Sequence, residues 1–449
     1  MVDTALLKEL AELFSPEAKL YAVGGFCRDV LLGVAPRDLD ICSKLKVEDV
    51  KTLLKSSGFV VSDKCLRLGT LIVRRGNFRA EYTTFRTDSY PENSGMHAPS
   101  SVVFTDDIEA DSARRDFCCN AVYYDVTADL FVDPRGGVDD IRKRVLRAAD
   151  IPGKVFGEDG LRVLRMVRFA AELGFDVEEN TYLAAKENAR LVLDIKKERI
   201  FEELDKIFKA DTAYPALNAE GHCKGLLMLD DLGLVDVLLP ELAALKGLEQ
   251  SAKYHVYDAY RHSLEAYRVS SPEIRWAALL HDVGKRIAVD LQGNMHGHDS
   301  LGAEAVRTRL AELGMPPSRM KRVAELVACH MVDLKGDMSE NKLRRFIVAH
   351  SAVMKDLIAL KYADCRATTG HDAENLRIDR LYREMRTDGT PFSLADLPVD
   401  GNDAERAGLK GKAVGEALKL LFDEAVVNPS LRDRARATEF LLRRARAGE

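Results

Sequence analysis

Two hydrophobic patterns follow one another along this chain. In the first 150 residues the apolar positions come as short runs rich in β-branched and aromatic residues: LIVRR, FRAEYTTFR, SVVF, AVYYDV and LFVDP. Each has a turn nearby and predicts a strand. After Ile151 the spacing becomes i, i+3, i+4, and LRVLRMVRFAAEL, RIFEELDKIF, KLRRFIVAH and ATEFLLRRAR predict helices almost throughout. The opening MVDTALLKELAELFSPEAKL carries Asp, Lys and Glu through its apolar positions, which predicts an amphipathic helix rather than a signal peptide. The expected fold class is α+β, with a mixed head over 1–150 followed by an all-helical body, and PGKVFGED at the junction. A second shift falls near Ala252, because nine of the ten histidines lie between His222 and His371. The body is therefore expected to divide into 151–250, a histidine-rich 251–370, and a charged helical tail over 371–449 with breaks around DGTPFSLADLP.

Composition narrows the function classes. A chain of 449 residues holds roughly two to four domains at about 100–200 residues each. With 46% hydrophobic and 31% charged residues, it can build a core, and wholesale disorder is excluded. No run approaches the roughly 18 apolar residues that span a bilayer, so no membrane partner is expected. Eight cysteines without a CxxC pair suggest packed thiols in a reducing cytoplasm, not a disulfide framework. The net charge of −6 does not announce nucleic-acid binding. Local basic clusters still leave room for it: Arg74-Arg75 with Arg79, Arg142-Lys143-Arg144 with Arg147, Lys196-Lys197 with Arg199, and Arg443-Arg444 with Arg446. Solvated helix faces would explain most of these equally well.

The stretch VGGFCRDVLLGVAPRDLDICS, from Val23 to Ser43, holds the first candidate chemistry. Gly24-Gly25 follow the strand-like LYAV and open the helix FCRDVLL, which Gly33 ends. Free N–H groups at a helix start bind phosphate, and glycines allow close approach. Arg28 lies in the first turn, where the helix dipole disfavours a cation unless an anion sits beside it. Taken alone, these residues are read more simply as a structural turn with a surface arginine. A GxGxxG fingerprint is absent, so a dinucleotide fold is not supported. Asp38 and Asp40 change the balance. If LDICS is a strand, both carboxylates point to one side, about 6–7 Å apart along the backbone. A divalent cation would relieve their repulsion, and hard oxygen donors suit Mg2+. Glu81, in FRAEYTTFR, could add a third carboxylate, although a solvated strand charge is its plainer reading.

GG-x-x-RD followed by D-x-D resembles the nucleotidyltransferases of the polymerase-β superfamily. The remaining motifs narrow this to the class II tRNA nucleotidyltransferase and poly(A) polymerase family. RRDFCCNA (Arg114 to Ala121) resembles its second motif, usually RRDFTINA; DPRGGVDDI (Asp133 to Ile141) its third; EDGLRVLRMVRFAAELGF (Glu158 to Phe175) its fourth; KERIFEEL (Lys197 to Leu204) its fifth. All stand in family order over about half the chain. Cys118-Cys119 in place of Thr-Ile, with Phe26-Cys27, are packing changes that leave the polar residues intact. The resemblance implies a polymerase-β-like head, Mg2+ on Asp38 and Asp40, and triphosphate binding by Gly24, Gly25 and Arg28.

The fourth motif also carries a physical argument. At 100° per residue, Leu164, Val167 and Ala171 share one arc, with Arg162 and Arg165 opposite and Asp159 one turn before Arg162. An exposed, salt-bridged helix face is one reading. The other follows from donors and acceptors. Cytosine and adenine each present an amino donor beside a ring-nitrogen acceptor, matching Asp159 and Arg162. Guanine and uracil present the reverse and would leave polar groups unpaired, at about 1–3 kcal/mol each. The resemblance assigns base selection to the same two positions. It also implies ribose and phosphate contacts for Arg115, Asp116 and Asn120, the last two expected one helical turn apart, and clamps on phosphate or base for Arg165 and Arg168. TDSYPENSGMHAPSSVVF (Thr87 to Phe104) is rich in turn formers and is expected to be a loop. Relatives keep a flexible element there that is implicated in switching from C to A addition.

The histidine-rich segment has its own pattern. His262, then His281-Asp282, then Asp364 resembles, in that order, the HD metal-dependent phosphohydrolase domain. His298 and His330 stand where two-metal members place further histidines, and His255 and Asp258 are spaced for the helix face of His262. Mixed imidazole and carboxylate ligands suit Mn, Ni or Fe better than Mg2+. The resulting expectation is template-independent addition of CCA to the 3′ end of tRNA from CTP and ATP, with an HD phosphohydrolase activity on RNA ends or nucleotides. Two alternatives stay open. One is a poly(A) polymerase or an enzyme adding only CC or only A. The other is an HD phosphohydrolase whose head merely binds nucleotide.

Overall fold

The computed structural model describes residues 3–90, 100–250, 256–369 and 376–447. The chain divides into two compact units, Met1–Leu238 and Leu239–Glu449.

The first unit opens with the helix Thr4–Glu12, capped by the Asp3 carboxylate and buried through Leu7, Leu10 and Ala11. It then builds a seven-stranded sheet from β1 (Tyr21–Val23), β2 (Asp40–Ser43), β3 (Val60–Cys65), β4 (Thr70–Arg75), β5 (Phe78–Thr84), β8 (Tyr123–Asp125) and β9 (Leu130–Val132). Their order across the sheet is β3-β4-β5-β2-β1-β8-β9. Only β2 and β5 run parallel. Tyr21, Phe85 and Tyr123 pack ring on ring at 5.9–6.2 Å against the centre of the sheet. The register sets Val23 opposite Asp40, and Asp40 opposite Glu81. Residues paired across a sheet share a face, so the carboxylates of Asp40 and Glu81 start from neighbouring strands on one side.

Three local expectations need correction. β2 begins at Asp40, so Asp38 lies before the strand and not on it. The reason is β1: its ladder ends at Val23, and Gly24 then turns the chain out of the sheet at φ +74°. The expected loop over 87–104 instead holds two paired strands, β6 (Arg86–Ser89) and β7 (Ser101–Phe104), whose register runs from Arg86 opposite Phe104 to Ser89 opposite Ser101. Residues 91–99 of that stretch lie outside those described. Asp116 and Asn120 are not on one helix. Phe117 between them is extended and bridges to Ala148, and only Cys118–Asn120 forms a 3-10 turn.

The rest of the first unit is helical apart from one short parallel pair, Val145–Leu146 with Asp176–Val177. The segment after 151 expected to be all-helical thus holds one short strand, tied to the head by Asp176 N–H to Arg144 O and Glu178 N–H to Leu146 O, both at 3.0 Å. Leu161–Leu173 is almost wholly buried and ends at Gly174 in the left-handed conformation. Lys197–Ile207, Ala210–Ala213 and Gly221–Asp231 follow. In the second unit, Ala259–Arg268, Arg275–Leu280, Gly284–Gln292, His298–Glu312, Pro317–Cys329 and Met354–Thr369 surround the histidines. Gly401–Arg406, Lys412–Ala425 and Arg434–Ala447 form a separate small core around Ala404, Leu421 and Leu441. Among the described residues no helix is long and apolar enough to cross a membrane.

Candidate active site and metal centre

A cavity of about 780 Å3 opens in the first unit. Its lining holds Gly24, Gly25, Arg28, Asp38, Asp40, Arg115, Asp116, Asn120, Arg165 and Arg168 together. Ten of the thirteen predicted head residues thus meet in one place, although they are spread over 145 positions of sequence. Glu81 lies outside that lining and faces two adjoining cavities, both of which Asp40 also lines.

The strand edge supplies the carboxylates. Asp40 is exposed to the cavity, yet the surrounding walls withdraw it from bulk water. That desolvation, with Glu81 alongside, pushes its carboxyl up to about 6, against the pull of Arg115. Asp38, Asp40 and Glu81 line one of those cavities together, and three hard oxygen donors where negative charge is already disfavoured are the donor chemistry a divalent cation fits. Glu81 is paired with Lys64. A Cβ at Gly24 would lie 3.5 Å from Asp40 Oδ2, so glycine keeps the floor of the cavity open beside that carboxylate.

A chain of buried hydrogen bonds links the helix after Gly24 to the second and fourth motifs. Arg28 Nη1 donates to Asn120 Oδ1 at 2.7 Å, Asn120 Nδ2 to Asp116 Oδ1 at 3.1 Å, and Arg165 Nε and Nη2 to Asp116 Oδ2 at 2.8 and 2.6 Å. Burial would raise Asp116, but Arg165 and Asn120 hold it down at about 2. Arg168 donates to Glu203 at 2.6 Å and to Glu172 at 3.0 Å. Arg115 is anchored by Asp111 at 3.1 Å and donates to the Tyr123 hydroxyl at 3.1 Å. Burial would raise Asp111 too, but Arg115 and Arg114 keep it at about 2.

Asp159 and Arg162 stand outside the cavity lining. Asp159 is extended, and its Oδ1 accepts from the Leu161 N–H at 3.0 Å. The Arg162 guanidinium turns back to donate to Val155 O at 3.0 Å and Arg114 O at 2.8 Å, with the Tyr90 ring 5.8 Å away. The exposed helix face that the charge spacing allowed is not present, because Arg162 is only 6% exposed. Sequence reasoning missed Asp29 and Tyr214. Arg28 Nη2 donates to both at 2.9 Å, and Tyr214 is 186 positions away with no pattern pointing to it.

The second unit gathers all six predicted histidine and aspartate ligands. His262, His281 and Asp282 form one buried triad, and Asp282, His298 and His330 form another, each with ligand atoms within 4.8 Å of one another. Asp282 is common to both: Oδ2 lies 3.4 Å from His262 Nε2 and 3.2 Å from His281 Nε2, while Oδ1 lies 3.3 Å from His298 Nε2 and 3.7 Å from His330 Nε2. Asp364 Oδ1 is 3.0 Å from His262 Nε2. Three rings are oriented from behind. Nδ1 of His281, His298 and His330 lies 2.8, 2.8 and 2.7 Å from the carbonyls of Ala278, Met295 and Val327. A proton held at each Nδ1 leaves the Nε2 lone pair facing the centre, the arrangement that imidazole ligands use. Burial would raise Asp282, but His281 and Lys285 hold it well below the usual carboxylate range. Gly284 makes the approach possible, since a Cβ there would fall 2.0 Å from His298 O. Asp258 is not part of this cluster. It caps the Ala259–Arg268 helix, accepting from the Arg261 N–H at 2.7 Å, and His255 lies outside the described residues.

Comparison with known proteins matches three family models. Residues 20–147 match the poly A polymerase head domain, 174–246 the probable RNA and SrmB-binding site of polymerase A, and 255–367 the HD domain. The chain is 32% identical over 376 residues to the A-adding tRNA nucleotidyltransferase of Deinococcus radiodurans, covering 81% of this chain and 79% of that protein. It is 31% identical over 445 residues to the CC-adding tRNA nucleotidyltransferase of Thermus thermophilus, covering 94% and 93%. The CCA-adding enzyme of Streptococcus suis is 35% identical over 265 residues, 59% of this chain and 60% of that one. Among solved structures, the Bacillus stearothermophilus CCA-adding enzyme in complex with CTP shares the fold at a TM-score of 0.67 and 24% identity, covering 100% of this chain and 99% of that one.

Proposed function

The chain belongs to the tRNA nucleotidyltransferase family, and from that membership we propose that it adds CCA to the 3′ end of tRNA from CTP and ATP without a nucleic-acid template. The observation that carries this reading is the single cavity where the strand-edge carboxylates meet the Arg28–Asn120–Asp116–Arg165 chain. Asp38, Asp40 and Glu81 would hold Mg2+. When bound, Mg2+ lowers the pKa of the terminal ribose hydroxyl and neutralises charge at the α-phosphate. Gly24 and Gly25 let the triphosphate approach the backbone, and Arg28, Arg165 and Arg168 neutralise it. Arg115, Asp116 and Asn120 contact ribose and phosphate.

Asp159 and Arg162 select the base by matching the amino donor and ring acceptor that cytosine and adenine share. To do so, Arg162 exchanges its bonds to Val155 O and Arg114 O for the base. The helical segment after the head, with Lys196, Lys197 and Arg199, follows the acceptor stem by its backbone and shape. The domain division proposed is the one expected from the sequence: head over 1–150, neck over 151–250, HD domain over 251–370 and tail over 371–449.

In the HD domain, His262, His281, Asp282 and Asp364 would hold a transition metal such as Mn, Ni or Fe, and His298 and His330 a second ion through Asp282. The chemistry proposed there is hydrolysis of phosphate esters at RNA ends or on nucleotides.

An Asp38→Ala, Asp40→Ala double variant should incorporate no labelled CTP or ATP into tRNA, and His281→Ala should leave incorporation intact. The reverse outcome would identify the chain as an HD phosphohydrolase with a nucleotide-binding head. One observation favours a second reading: the two relatives that align over the most sequence above are named for A addition and for CC addition, each a partial reaction.

A further inference from the structure

Phe169, on the buried helix Leu161–Leu173, is surrounded by guanidinium groups. Arg168 Cζ lies 4.0 Å from the ring centroid, and Arg28 and Arg165 each lie 5.2 Å away. Arg165 and Arg168 stand on the same helix as the ring and Arg28 comes to it from the helix Gly25–Leu31, and the three belong to separate carboxylates: Arg28 to Asp29, Arg165 to Asp116, and Arg168 to Glu172 and Glu203. The ring is 6% exposed and is itself fixed edge-on against Phe117, with centroids 5.9 Å apart. It nevertheless forms part of the cavity wall.

Three like charges drawn to one spot repel one another, and more strongly where water is scarce. The face of an aromatic ring carries negative quadrupole density and attracts each of them. We infer that Phe169 is a positioning residue that gathers Arg28, Arg165 and Arg168 into one triphosphate clamp through its ring electrostatics. Their hydrogen-bonded carboxylates are different ones, and all three guanidiniums meet at this ring. It adds no negative charge that would oppose an incoming phosphate. An Asp or Glu at this position would gather the arginines equally well and repel the ligand.

This inference rests on the reading of the cavity as a triphosphate site, and the test separates the two. The full-length protein is made with phenylalanine, difluoro-, trifluoro- or pentafluorophenylalanine at position 169. Fluorination drains and finally reverses the quadrupole while nearly keeping ring shape. Binding of tripolyphosphate is measured by calorimetry, and KM and kcat for CTP and ATP with a tRNA primer. The expected result is a stepwise loss of tripolyphosphate affinity, about tenfold or more at pentafluoro, with KM rising in parallel and kcat changing less than threefold. Phe169→Tyr should restore wild-type affinity, and Phe169→Leu should behave like the pentafluoro protein. Unchanged affinity across the fluorinated series would overturn the inference and leave the ring as packing alone. The cavity reading itself fails only if Arg28→Ala and Arg165→Ala also bind tripolyphosphate as the wild type does.

Discussion

Arg165→Met removes one partner of a buried pair and leaves the other in place. Asp116 is 8% exposed, and its Oδ2 accepts from Arg165 through two nitrogens. With Arg165 gone, Asp116 keeps the Asn120 amide and the Phe117 N–H, both on Oδ1, and Oδ2 loses both bonds. Breaking a fully buried pair costs about 3–5 kcal/mol. The Arg165 side chain is 32% exposed, so the lower figure must be discounted. The carboxyl is held at about 2 against an ordinary 3.8 by Arg165 together with Asn120, which at about 1.4 kcal/mol per pH unit is about 2.5 kcal/mol for both partners, so the loss of Arg165 alone is set at about 2 kcal/mol. The sign is that of a depressed carboxylate: the stabilisation is present above about pH 4 and disappears as pH falls from 4 to 2.

Local stability of about 2 kcal/mol corresponds to roughly thirtyfold in an opening equilibrium, which amide hydrogen exchange reads directly. At pH 7, peptides spanning 116–121 should exchange roughly thirtyfold faster in Arg165→Met. The single tryptophan, Trp276, is buried in the second unit, so its fluorescence serves as an internal control whose unfolding midpoint should not move. Adding Asp116→Asn should recover more than half of the lost protection. Unchanged exchange in Arg165→Met, or no recovery in the double variant, would refute the reasoning.

The remaining predictions concern other parts of the chain. Asp40→Asn should lower nucleotide incorporation by at least about a thousandfold, the range of essential electrostatic groups, with thermal unfolding unchanged. Gly284→Ala should cost the second unit most of its bound metal, measured by elemental analysis after dialysis, while nucleotide incorporation stays normal, because the added carbon would overlap His298 O. Asp282→Asn should remove both ions rather than one, since its two oxygens face different triads; loss of a single equivalent would contradict the shared-ligand geometry. Asp159→Ala should admit GTP and UTP to within about tenfold of CTP and ATP in competition assays, and full retention of selectivity would remove Asp159 from base reading.

What could be read from the sequence was chemistry carried by short local motifs. Gly24, Arg28, Asp116 and Arg165 each sit in a recognisable run, and the fold brings those runs to one cavity. What could not be read depends on partners distant in sequence. Tyr214 reaches Arg28 through packing of helices whose contacts leave no local signature. Asp38 fell off the predicted strand because β1 stops at Val23, a boundary set by the conformation of Gly24 and not by the pattern around Asp38. RRDFCCNA failed as a helix because the tertiary bridge from Phe117 to Ala148 overrides local propensity. Asp159 and Arg162 show a related limit. The hydrogen-bond argument concerns donor and acceptor types, but the resting partners of Arg162, Val155 O and Arg114 O, are backbone groups that sequence does not distinguish. The histidine and aspartate cluster was legible because four of its residues stand in the order of the HD domain, while the sharing of Asp282 between triads emerges only in the structure.

Sequencing the 3′ ends of a tRNA transcript that lacks its last three nucleotides, after incubation with the purified protein, CTP, ATP and Mg2+, tests the central claim most directly. The account predicts ends that read CCA and then stop, with CC ends when ATP is withheld. Ends that stop at CC with both nucleotides present, or runs of A on the untreated end, would contradict it.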